Sequence, residues 1–229
     1  GPMSREMKNT EIDKFEARFG YKPTKVGVAL DALAVYVHKD NPVDALSLKQ
    51  IDAIFSSTLK LGGDPLETWG QLGLEGEWAP RSISAYGRNS ASGTYGFFKS
   101  VALGKGDFKS SVKEQPGSSA VVQGISSDIY GIGYSGIGYR TSGGKLLSVS
   151  TNGDDFYAPS LENCISGDYP LARLLYVYIN RNPVEELDTL TREFLKFVLS
   201  KQGQEIVVKD GYYPLPAAIA RQIIDDLEN

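Results

Sequence analysis

Two runs rich in β-branched and aromatic residues restrict this chain more than anything else in it: ALAVYVHKDNP at 32–42 and ARLLYVYINRNP at 172–183. Both favour an extended backbone. Each stops at Asn-Pro, where proline removes a donor and biases the residue before it away from helix. Because they bracket the middle of the chain, they read as the two crossings of a hinge. That reading places 1–42 and 175–229 in one discontinuous lobe and 43–174 in a second.

Around the crossings strands alternate with helices, which predicts an α/β fold with largely parallel sheets. Residues 4–19 read as a helix, with Ser4 as N-cap, Ile12, Phe15 and Phe19 at helical spacing and Gly20 as the stop. KVGVAL and the first crossing read as extended, broken only at Asp31. In SLKQIDAIF, Ser47 and Gln50 stand at capping-box spacing ahead of an apolar face, which predicts a helix. The glycine-rich stretch 61–80, with Trp69 and Trp78, reads as a long loop with short turns. RSISAYG reads as a strand, a helix starts near Ser92, GSSAVVQGISSD is a short helix, and IYGIGYSGIGY and KLLSVS read as strands. A loop is expected over 151–170. LTREFLKFVLSKQGQEIVVKDGYYPLP then reads as a helix pair broken at Gly203 and Gly211, before a last helix from about Pro216 to Leu227.

Composition removes several function classes. With 24 basic and 28 acidic residues, a net charge of −4 and a pI near 5.2, the chain lacks the cationic surface that a phosphate backbone requires, so no nucleic-acid partner is expected. No window approaches eighteen apolar residues, and GPMSREMK has neither the apolar core nor the cleavage pattern of an export signal, which reads as a soluble chain, processed or trimmed. One cysteine, Cys164, excludes an internal disulfide. One histidine, His38, excludes nearly all His-based metal sites and most nucleophile–His pairs, so no metal and no cofactor are expected. Ser135 in GYSGI misses the last glycine of the Gly-x-Ser-x-Gly elbow. Enzymatic activity is not expected.

The chemistry concentrates in YGRNSASGTYGFFKS, residues 86–100. Where a strand runs into a helix, the first-turn N–H groups lack internal partners and sit at the positive end of the macrodipole. Ser92, Gly93 and Thr94 occupy that start: glycine admits a ligand to the backbone, and the hydroxyls can turn donors toward it. Arg88, on the incoming loop, adds a forked cation suited to a tetrahedral oxyanion. The competing reading has Ser92 and Thr94 capping the helix and Arg88 making a surface ion pair.

Together with DALAVYVHKDNPV, WGQLG, GRNSASGTYGFF, GIGYSGIGY, YPLARLLYVYINR and FVLSKQGQEIVVKDGYYPLP, the chain resembles the phosphate-binding receptors of bacterial ABC importers, from GPMSREMK to GYYPLP. The resemblance implies a two-lobed fold of the periplasmic-binding-protein class with crossover strands, and a periplasmic or cell-surface location. It implies inorganic phosphate as ligand and membrane permease subunits of the importer as partners. The family's binding-loop arginine falls on Arg88, its Ser-Gly-Thr on Ser92, Gly93 and Thr94, and a first-lobe serine on Ser4. Two departures stand out. Some members carry an aspartate two places after the arginine, accepting the proton that phosphate retains; Ser90 stands there, and Asp31 becomes the candidate acceptor, with a turn or hinge aspartate as the other reading. The family pattern also begins well ahead of GPMSREMK, which implies that the N-terminal part of the first lobe is absent from this chain, or is a separate segment. If that costs the chain its ligand, the alternative is a sensor, adhesion or scaffold protein that keeps the receptor fold without transport.

Overall fold

A computed structural model describes residues 1–228. In chain order its elements begin with β1 (Pro2–Met3), α1 (Asn9–Phe19), β2 (Thr24–His38), β3 (Ala45–Ser47), α2 (Leu48–Phe55), β4 (Ser84–Arg88), α3 (Gly93–Ala102), β5 (Lys113–Gln115) and α4 (Ser118–Ser127). There follow β6 (Gly131–Gly136), β7 (Gly144–Leu146), β8 (Ser148–Ser150), α5 (Leu161–Ser166), β9 (Ala172–Ile179), α6 (Thr189–Leu199), α7 (Lys201–Lys209) and α8 (Ala217–Glu228). They form two compact units, one of Gly1–Asp31 with the chain from Arg173 onward, the other of Ala32–Ala172. The division falls inside β2, ahead of the expected boundary at 42. The reason is that Leu33–Val37 already pair with β6, and Tyr36–His38 with β7, so these residues belong to the sheet of the second unit.

In the first unit, β9 lies between β1 and β2, and α6 and α8 pack on β2 through a core of Val26, Leu187, Leu195, Leu199, Leu215, Ala220 and Leu227. The first helix begins at Asn9, not at Ser4. Glu11 starts it: its carboxylate accepts the Lys8 N–H at 2.7 Å and both arms of Arg5 at 2.8 Å, and the Arg5 fork pulls its pKa down to about 2. Ser4 is left exposed in the bend after β1. Nor does Asp31 break the strand. β2 continues through it because Arg173 of β9 donates to Asp31 Oδ2 from Nε at 3.0 Å and Nη2 at 2.9 Å, which satisfies a buried carboxylate in mid-strand.

The break between the last helix pair falls at Ser200, which ends α6 and caps α7 by accepting the Gly203 N–H at 3.2 Å. Gly203 lies inside α7, where the close approach of the preceding turn requires glycine: a Cβ there would meet Phe197 O at 2.2 Å. Gly203→Ala is therefore expected to lower the thermal stability by about 1–3 kcal/mol, read from a melting curve; an unchanged melt would show that the turn relaxes freely.

The second unit carries the sheet order β2-β6-β4-β5, with β7 also on β2 and a separate β3-β8 pair. Pairing is mixed, against the largely parallel expectation: β4 is parallel to β5 and β6, while β2 enters antiparallel to β6 and β7. Ala32–Val37 are at most 1% exposed, so this part of the strand is covered on both faces and reads as a continuous apolar run. On one side α4 packs Val121, Val122 and Ile125 against Ala34, Tyr36 and Tyr86. The glycines of GIGYSG serve this packing, since a Cβ on Gly133 would lie 2.7 Å from Tyr86 O in the neighbouring strand. The long loop holds its short turns at 69–72 and 76–78, and Trp69 anchors it in the core: Trp69 is fully buried, edge-on to the half-buried Trp78, with its indole N–H donating to Tyr130 O at 3.3 Å. The expected loop over 151–170 contains α5, capped by Ser160 accepting from the Asn163 N–H.

Candidate functional site

Three parallel strands set the site in the second unit. Arg88 is paired in register with Gln115 at the end of β5, and Tyr86 with Gly133, which brings Ser135 level with Arg88 at the carboxyl edge of the sheet. Helix α3 follows β4 and α4 follows β5, so both helices begin at this edge. In open α/β sheets the carboxyl edge is where ligands bind, because helix starts direct their unpaired N–H groups there.

Arg88 is held from two sides. Its backbone N–H donates to Tyr134 Oη at 3.3 Å, and its Nη1 donates to Ser118 Oγ at 2.9 Å in the first turn of α4. Tyr134 is fully buried, stacked on Phe98 with ring centroids 3.7 Å apart, and burial pushes its phenol well above the usual range, so it stays protonated beneath the site. The remaining guanidinium edge decides the character of the place. Nε is buried and makes no hydrogen bond, and Nη1 alone is engaged, by a neutral hydroxyl rather than a carboxylate, among the described residues. Nε and Nη2 point the same way from a planar fork, so two parallel donors with a positive charge stand side by side without an acceptor. Arg173 uses the same edge on Asp31, where it is filled. A cation left this way beside a helix start needs an anion to complete it.

The helix start divides its two hydroxyls. Ser92 is the N-cap of α3, its Oγ accepting the Thr94 N–H at 3.1 Å, so the capping reading holds for Ser92. It does not hold for Thr94, whose hydroxyl makes no hydrogen bond among the described residues. Gly93 is exposed at the first helical position. The surface ion pair expected by the competing reading of Arg88 is not made among the described residues. Arg88, Ser92, Gly93 and Thr94 therefore come together at one edge, while Ser4 and Asp31 belong to the first unit.

Ser118 was missed by sequence reading. GSSAVVQGISSD is legible as a helix, but that it starts beside Arg88 follows only from β5, the strand before it, lying parallel to β4. The other reactive-looking groups are accounted for. Ser135 donates to Ser118 O at 3.2 Å, His38 Nδ1 accepts the Asp40 N–H at 3.2 Å, and Cys164 is buried. Among the described residues no cluster of three or more His, Cys, Asp or Glu could hold a metal, and no helix is long and apolar enough to cross a membrane.

A family model described as a PBP superfamily domain matches residues 2–202. The phosphate-binding protein PstS of Pseudomonas aeruginosa is 54% identical over 229 residues, a match covering 99% of this chain and 71% of that relative. Among solved structures, one described as a possible phosphate binding protein from Planctomyces limnophilus superposes with a TM-score of 0.76 at 22% identity, covering 100% of this chain and 80% of its own. An ABC-type phosphate transport receptor from Vibrio cholerae follows with 0.72 at 21%, covering 94% and 79%. These two show the fold, the two-lobed α/β architecture of such receptors.

Proposed function

Since the chain belongs to the phosphate-binding receptors of the periplasmic-binding-protein superfamily, we propose that it binds inorganic phosphate without chemical conversion and delivers it to an ABC importer. The observation that carries this reading is the open Nε–Nη2 edge of Arg88 at the start of α3. Two oxygens of a tetrahedral oxyanion match that edge. A third meets the first turn of α3, where Gly93 lets it approach and the Thr94 hydroxyl and the Ser92 proton donate. The resemblance alone adds Ser4 as a further ligand residue and Asp31 as acceptor of the proton that phosphate retains near neutral pH. The partners are permease subunits in the membrane, and the location is the periplasm or the cell surface.

Titration of this chain with inorganic phosphate tests the proposal: saturable binding supports it, and no binding favours a sensor, adhesion or scaffold protein. Thr94→Val sharpens the test. It nearly keeps volume and removes a donor that the free protein does not use, so binding should weaken by about 1–3 kcal/mol with little change in the melting curve. A lower melting temperature with unchanged affinity would place Thr94 in the service of the helix alone.

A further inference from the structure

Resting on the phosphate reading of the site, we infer that Ser118 is a positioning residue, which fixes the guanidinium of Arg88 so that its Nε–Nη2 edge faces the anion. An arginine side chain has freedom about several bonds, and a forked donor discriminates only when its edge is held in one direction. Among the described residues the guanidinium of Arg88 is held by one bond. Nη1 donates to Ser118 Oγ at 2.9 Å, which takes the nitrogen outside the open edge and leaves the paired donors unspent.

Ser118 is itself fixed. It is 8% exposed, it is the first residue of α4, and its carbonyl accepts the hydroxyl of Ser135, which is fully buried at the end of β6. The clamp therefore runs from β6 through the start of α4 to the arginine on β4. A neutral hydroxyl suits the task better than a carboxylate. It accepts from Nη1 without cancelling the charge that the anion is to meet, whereas a carboxylate would compete with the anion for the guanidinium. Asp31 shows the contrast, since it fills the corresponding edge of Arg173.

The test titrates the chain with inorganic phosphate as wild type, Ser118→Ala and Ser118→Thr, each also in an Arg88→Lys background, with melting curves for all. Ser118→Ala should weaken binding roughly tenfold, and Ser118→Thr, which restores the acceptor, should stay within about threefold of wild type. With Arg88→Lys there is no Nη1 to hold, so adding Ser118→Ala should then change affinity by less than about twofold. Unchanged affinity in Ser118→Ala overturns the inference, as does an equal loss in both backgrounds, which would mean that Ser118 only supports α4. Failure of the wild type to bind phosphate would reject the functional reading instead. In that event the Arg88 Nε–H resonance of the ligand-free chain decides the positioning role: Ser118→Ala should shift it and speed its exchange with water, and an unmoved resonance overturns the inference independently of any ligand.

Discussion

Arg88→Ala should weaken phosphate binding by about 2–5 kcal/mol, which is roughly 30- to several-thousand-fold in Kd, while leaving the melting temperature of the free protein unchanged or slightly raised. The two halves of this result have one cause. In the free chain the guanidinium has Nη1 on Ser118, and a buried Nε on nothing, so the fold carries a partly desolvated cation with little return. Deleting it removes that cost, and the backbone N–H that donates to Tyr134 remains in place. With the anion bound the balance reverses, because the open edge then makes charge-assisted bonds away from water. Arg88→Lys should recover only part of the affinity, since an ammonium supplies charge without two parallel donors. Equal affinity of Arg88→Ala and wild type in a phosphate titration would remove this turn from the binding site. A large loss of stability would mean that the arginine serves the fold.

How far the site could be read in advance follows from which forces act locally. Ser92-Gly93-Thr94 at a helix start is a local pattern, and α3 begins at Gly93 with Ser92 as its cap. The Ser47–Gln50 capping box is equally local and forms as expected, with mutual bonds of 2.9 and 3.2 Å. Where distant groups intervene, local signals mislead. Ser4 has the residue type of an N-cap, yet the helix start is set by Glu11, which binds Lys8 and Arg5. Asp31 interrupts an apolar run and looks like a break, but a partner 142 positions along the chain carries the strand through it. Ser118 was invisible for the same reason, because its meaning depends on β5 lying parallel beside β4.

The Asp31–Arg173 pair yields the second large effect, and it separates two uses of one carboxylate. Both side chains are nearly buried, 10% and 13% exposed, and Arg173 donates twice to Asp31 Oδ2. Arg173→Met leaves a desolvated carboxylate without its cation, so it should destabilise the first unit by about 3–5 kcal/mol, measured by denaturant unfolding. Asp31→Leu combined with Arg173→Met should recover most of that loss, since replacing both ions with apolar groups removes the unpaired charge as well as the pair. Binding then tells whether the carboxylate does more than join β2 to β9. A proton acceptor favours phosphate, which carries a proton near neutral pH, and repels sulfate, which carries none, so Asp31→Asn should weaken phosphate binding and relax the exclusion of sulfate. A carboxylate that only pins the strands predicts weaker binding of both anions in step with lost stability and no change in their ratio. Competition of labelled phosphate by sulfate, wild type against Asp31→Asn, distinguishes them. An unchanged ratio takes Asp31 out of the ligand set and leaves it as the ion that lets one strand pass unbroken from the first unit into the second.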